Sequence, residues 1–130
     1  MKNKILLLSI AFIFIAAVQA SAQVKTRVKF PAGTHGTSVK GTVRGYAYHD
    51  YLVGAKAGQT MTLELTGSEP STVFSVFLPS NDNLDGAAEM NDFSGELPDN
   101  GDYVVRVLMM RSAARRKGSV SNYTLKITVK

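Results

Sequence analysis

A chain of 130 residues that is 45% hydrophobic has the length for one domain with an ordinary core, and its lack of cysteine excludes disulfide stapling and a lipoprotein anchor. With two histidines and no cysteine, any zinc site would depend on scattered carboxylates. The formal net charge of +5 would suit nucleic acid, but the export signal described next removes the chain from the compartment where nucleic acid is met.

Lys2 and Lys4 precede an apolar run from Ile5 to Ala17, and Ala20-Ser21-Ala22 supplies the small residues of a signal-peptidase site, with a cut after Ala20 as the alternative. The run is short for a transmembrane span, and no later stretch is apolar enough to replace it. Residues 1–22 are therefore read as a signal peptide and residues 23–130 as a single domain. The expected product is periplasmic, or secreted as the alternative, without membrane insertion after signal removal.

Val24 to Phe30 alternates and is broken by Pro31-Ala32-Gly33-Thr34-His35-Gly36, which predicts an edge strand guarded by Lys25, Arg27 and Lys29. Ser38 to Arg44 reads as a second strand and Tyr46 to Val53 as a third, with Tyr46, Tyr48 and Leu52 on one face and Tyr51 and Val53 on the other. After a turn at Ala57-Gly58-Gln59, Met61, Leu63 and Leu65 make a core face over Thr60 to Thr66. Thr72 to Leu78 is apolar on both sides, which predicts a central strand covered on both faces. Asn81 to Asn91 is acidic and irregular, Phe93 to Leu97 reads as a short strand, and Asn100-Gly101 signals a hairpin.

A last hairpin is expected from Tyr103 to Val129. Tyr103, Val105, Val107 and Met109 point one way on its entering strand, and Tyr123, Leu125, Ile127 and Val129 do so on its leaving strand. Between them lies the basic loop Arg111 to Gly118. About eight short strands with turns every eight to twelve residues predict an all-β fold, an antiparallel β-sandwich or jelly-roll-like domain.

Charge is segregated. Residues 23–56 hold six Lys or Arg and one acid, residues 57–102 hold nine acids and no Lys or Arg, and residues 103–130 hold seven Lys or Arg and no acid. Such blocks either steer and orient a partner or neutralise one another across adjacent strands.

For catalysis, His35 sits in a turn and His49 beside Asp50, and nothing beyond residue type joins either to a serine nucleophile, so both are read as solvent-facing polar residues. Asn81-Asp82-Asn83-Leu84-Asp85-Gly86 with Asp92 is a poor calcium loop, since it opens on Asn and closes on Asp. Glu89, Asp92 and Glu96 include no pair that stands out as glycosidase carboxylates. No catalytic residue, metal or cofactor is assigned. Binding is the better reading, and Tyr46, Tyr48, Arg111 and Arg115 are the residue types of binding hot spots. One helical turn in the basic loop would bring the Arg111 and Arg115 guanidinium groups to one side, where a forked pair suits a carboxylate-lined cleft.

Gly45-Tyr46 with Tyr48 and Tyr51, Ala55-Lys56 with Gly58-Gln59, Gly101 with Tyr103, Arg106-Val107-Leu108 with Arg111, Ala114-Arg115, and Tyr123 with Ile127 and Lys130 resemble the periplasmic inhibitors of g-type (goose-type) lysozyme. The islands keep the family's order across nearly the whole of residues 23–130, with Thr66 to Asp92 matched loosely. The resemblance implies a β-sandwich that blocks the active-site cleft of a g-type lysozyme, with Tyr46, Arg111 and Arg115 as inhibitor contacts. Tyr48, Arg116 and Lys117 are secondary candidates, and a homodimer is left open.

Tyr51 to Gln59, Gly101-Asp102-Tyr103 and Tyr123-Thr124-Leu125 are also similar to bacterial pre-peptidase C-terminal domains, which implies an alternative, a module binding cell-envelope glycan or calcium. A chain standing alone behind its own signal, with so elaborate a basic loop, weighs against that alternative. A structural envelope protein without a defined ligand is a third.

Overall fold

The structure is a computed structural model that describes residues 24–130, so the signal peptide read over residues 1–22 lies outside the described residues. Eight strands are present: β1 (Val24–Arg27), β2 (Gly36–Arg44), β3 (Tyr48–Ala55), β4 (Thr60–Gly67), β5 (Thr72–Phe77), β6 (Asp92–Glu96), β7 (Gly101–Met109) and β8 (Val120–Val129). A single helical turn, α1 (Arg111–Ala114), lies between β7 and β8. Among the described residues no helix is long and apolar enough to cross a membrane.

The strands form two four-stranded sheets, β1-β3-β7-β5 and β2-β8-β4-β6. Odd-numbered strands make one sheet and even-numbered strands the other, so every connection crosses the sandwich. This overturns both predicted hairpins. The turn at Asn100-Gly101 joins β6 to β7, and the basic loop joins β7 to β8, in each case between different sheets. Asn-Gly correctly marks a tight turn, with Gly101 at φ +133°, but turn chemistry does not say which strand the chain pairs with next. Pairing is antiparallel except for β1, which runs parallel to β3 from Val24↔His49 to Arg27↔Leu52.

Period-two patterning made the core. Met61, Leu63 and Leu65 of β4, Tyr103, Val105, Val107 and Met109 of β7, and Tyr123, Leu125, Ile127 and Val129 of β8 are all buried in one cluster between the sheets. Within it Tyr103 is fully buried, and its hydroxyl accepts from the Asp99 N–H and donates to the Asp99 carbonyl, both at 2.9 Å. That bond fixes the turn entering β7.

β1 is an edge strand with all four residues exposed, as its cations suggest. β5, by contrast, is the other edge of its sheet and not a central strand. Its free edge is paired because the acidic segment returns along it: Phe74 exchanges backbone hydrogen bonds with Met90, and Val76 bonds to Ala87 and Leu84. A double-sided apolar strand can thus be an edge strand screened by a loop. Tyr46 also departs from expectation. β3 begins at Tyr48, and Tyr46 sits in the preceding turn, so it shares no strand face with Tyr48.

Candidate functional site

Three connections gather at one end of the sandwich, the β2–β3 turn, the β4–β5 turn and the β7–β8 loop. The pairings Arg44↔Val120, Gly67↔Tyr123, Tyr48↔Leu108 and Thr72↔Met109 put their roots side by side. Gly45, at φ +55°, turns the chain and donates its N–H to the Ser119 carbonyl at 3.1 Å, tying the β2–β3 turn to the basic loop. Ala47 closes that turn with a 3.0 Å bond to the Arg44 carbonyl. Tyr46 is held out at its tip, 64% exposed.

The basic loop is ordered from within. Ala113 and Ala114 are buried, and their N–H groups bond to the Met110 carbonyl, so two small side chains seat the helical turn on the core. The Arg115 N–H then bonds to the Arg111 carbonyl at 3.1 Å, and Ser119 Oγ donates to the Ala114 carbonyl at 3.2 Å. With the alanines inward, Arg111, Arg115, Arg116 and Lys117 are exposed. The helical turn expected between Arg111 and Arg115 is therefore present, and Tyr46 shares their end of the molecule.

Arg116 and Tyr48 stand apart from that group. Arg116 Nη2 lies 2.8 Å from Glu69 Oε2 of the β4–β5 turn. Tyr48 is half-buried on the outer face of its sheet, with the Arg106 guanidinium 4.1 Å from its ring centroid. Arg111, Arg115 and Lys117 make no ion pair among the described residues. Exposed apolar side chains collect here too: Met110 at 39% and Val120 at 37% flank the loop. An end that combines an exposed tyrosine, unpaired arginines and apolar neighbours has the composition of a protein-binding hot spot.

Sequence reasoning missed the partners that fix this frame. Among the described residues three ion pairs each join two different charge blocks: Arg27 to Asp102 at 2.6 Å, Arg106 to Asp50 at 2.8 Å and Arg116 to Glu69 at 2.8 Å. Internal neutralisation is thus real, and it spares the cations around Tyr46. The Arg27 guanidinium, bonded to both Asp102 oxygens, holds that carboxyl below its ordinary range. Asp50 and Arg106 are register partners on β3 and β7, a signal visible once those strands are known to pair.

His49 corrects the solvent-facing reading. It sits on the inner side of β3, where its Nδ1 lies 2.6 Å from the Tyr123 hydroxyl, which in turn lies 2.5 Å from the Tyr51 hydroxyl. Burial lowers the His49 pKa against the opposing field of Asp50, and burial raises both tyrosines. His49 and Asp50, adjacent in sequence, serve opposite faces of one strand, so Asp50 orients no imidazole here. Among the described residues no group of three or more His, Asp or Glu could hold a metal ion.

No family model matches the chain. It is 27% identical over 124 residues to an inhibitor of g-type lysozyme from Escherichia coli K12, covering 89% of each chain. The crystal structure of Aeromonas hydrophila PliG, a periplasmic inhibitor of g-type lysozyme, matches with a TM-score of 0.72 and 30% identity over 82% of this chain and 96% of that one. The pre-peptidase C-terminal domain of a Bacillus anthracis collagenase matches at 14% identity and a TM-score of 0.51, a likeness of fold alone. The Escherichia coli relative and Aeromonas hydrophila PliG are inhibitors and not enzymes, and the chain belongs to the family of periplasmic inhibitors of g-type lysozyme.

Proposed function

We propose that this chain is exported to the periplasm and inhibits a g-type lysozyme by inserting its Tyr46, Arg111 and Arg115 end into the enzyme's active-site cleft. The observation that carries this reading is the convergence of an exposed Tyr46 with exposed, unpaired Arg111 and Arg115 on loops tied by the Gly45–Ser119 hydrogen bond. A rigid projection loses little entropy on docking, which favours tight association from a modest surface.

The chemistry is direct. A glycosidase needs a protonated general acid in its cleft. A guanidinium placed beside that carboxyl lowers its pKa and holds it ionised, while a phenol ring fills the space of a sugar. Lys117 adds steering charge at the rim.

The test is inhibition of g-type lysozyme by Arg111→Ala, Arg115→Ala, Tyr46→Ala and the double arginine variant. Each single substitution should weaken inhibition by about thirtyfold, the hot-spot scale of about 2 kcal/mol, and the double should abolish it at micromolar concentration. Intact inhibition by the double variant would reject the arginine mechanism. The glycan- or calcium-binding alternative has in its favour a shared fold and no observation of its own at this end of the molecule.

A further inference from the structure

Beneath the basic loop, the β4–β5 turn from Ser68 to Ser71 rests on buried hydroxyls. Thr72 and Ser121 are 4% and 0% exposed, and their hydroxyl oxygens lie 2.6 Å apart. The Glu69 carbonyl accepts from the Thr72 N–H at 3.0 Å and the Thr72 hydroxyl at 2.7 Å, and the Glu69 N–H donates to Ser121 Oγ at 3.3 Å. Gly67 makes room for this arrangement, because a Cβ there would come within 2.7 Å of Thr72 Oγ1 and 2.9 Å of Ser121 Oγ. The turn also holds the root of the loop through a 2.8 Å bond from the Met110 N–H to the Ser71 carbonyl.

Glu69 is therefore fixed at its backbone, and its side chain, 23% exposed, reaches Arg116. Arg116 is itself part of the turn after α1: its N–H bonds to the Ala113 carbonyl, and its carbonyl accepts from the Ser119 N–H, both at 3.1 Å. Resting on the inhibitor reading above, we propose that Glu69 is a positioning residue for the inhibitory loop and that Arg116 is its strut and not a contact with the lysozyme. Four cations within seven residues repel one another. One carboxylate at their base takes up Arg116 and leaves Arg111, Arg115 and Lys117 free for the target.

Exposed ion pairs are weak mainly because ordering two long side chains offsets the attraction. Here the Glu69 side is already ordered by the buried hydroxyls, so that cost falls largely on Arg116 alone. The proposal also has a distinctive sign. If Glu69 contributed charge alone, Glu69→Gln would free Arg116, make this end more positive and speed association with a carboxylate-lined cleft. As a positioning residue, its loss loosens the loop and speeds dissociation.

The experiment measures association and dissociation rates with a g-type lysozyme for wild type, Glu69→Gln, Arg116→Gln and the double variant. Amide hydrogen exchange over residues 111–119 of the free protein is measured alongside. Each single substitution should weaken binding by about threefold through faster dissociation and raise exchange in the loop, and the double should be no weaker than either single. Reversing the pair with Glu69→Arg and Arg116→Glu should restore slow exchange. Tighter binding by Glu69→Gln, or exchange unchanged from wild type, would overturn the proposal. If wild type did not bind the lysozyme, the inhibitor reading would fall, and the exchange comparison would still decide whether Glu69 holds the loop.

Discussion

Replacing Arg106 by Met tests the frame on which the site stands. Arg106 Nε and Nη2 donate to Asp50 Oδ1 and Oδ2 at 2.8 and 3.1 Å, with the Asp50 side chain 9% exposed and that of Arg106 33% exposed. The guanidinium also lies 4.1 Å from the Tyr48 ring centroid and 4.9 Å from that of Phe77. Methionine keeps much of the apolar stem and strands the carboxylate. Removing one partner of a fully buried pair costs about 3–5 kcal/mol, and the one-third exposure of Arg106 brings the expectation to about 2–3 kcal/mol. Roughly 0.5–1 kcal/mol of that is lost stacking on the aromatic rings. Urea unfolding at pH 7 should show this loss without a change in slope. The double variant Asp50→Val with Arg106→Met should recover most of it, because no charge is then left unpaired. A loss below about 0.5 kcal/mol for Arg106→Met, or a double variant as unstable as the single, would show that Asp50 does not depend on Arg106 for its pairing.

Two further predictions probe the interior. Gly41→Ala would drive a Cβ into the Tyr123 hydroxyl and within 3.1 Å of His49 Nδ1, so it should cost about 1–3 kcal/mol in the same unfolding assay; a neutral effect would count against the tight packing of that cluster. His49, with a pKa below its ordinary 6.5, binds fewer protons folded than unfolded. Its contribution is therefore complete above pH 6.5 and is lost as pH falls through the lower folded value. The denaturation midpoint of wild type should drop between pH 7 and 5 more steeply than that of His49→Gln, and parallel profiles would contradict the assignment.

The faces of the strands were legible in the sequence because period two is a local property: Met61, Leu63 and Leu65, or Leu125, Ile127 and Val129, declare their burial without reference to a partner. Sheet membership was not, because it depends on which strand lies alongside. Asn100-Gly101 marks the same tight turn whether the chain then pairs with β6 or crosses the core, and in this fold it crosses. Thr72 to Leu78 misled for a related reason, since burial by a returning loop and burial by a neighbouring strand leave the same apolar run.

Tyr46, Arg111 and Arg115 were proposed from residue type and family resemblance, the two arginines also from their place in the basic loop, and the Gly45–Ser119 contact supplies the proximity of their loops that sequence alone left open. Glu69 and His49 were not found as partners. Their partners Arg116 and Tyr123 lie 47 and 74 residues away, and each contact exists only because two sheets fold over one another.

The most direct test of the account is a lysis assay in which purified residues 23–130 are titrated against goose-type, chicken-type and invertebrate-type lysozymes on one cell-wall substrate. Saturable inhibition of the goose type is expected, with no comparable inhibition of the other two. Undiminished lysis by the goose-type enzyme at a large excess of this protein would contradict it.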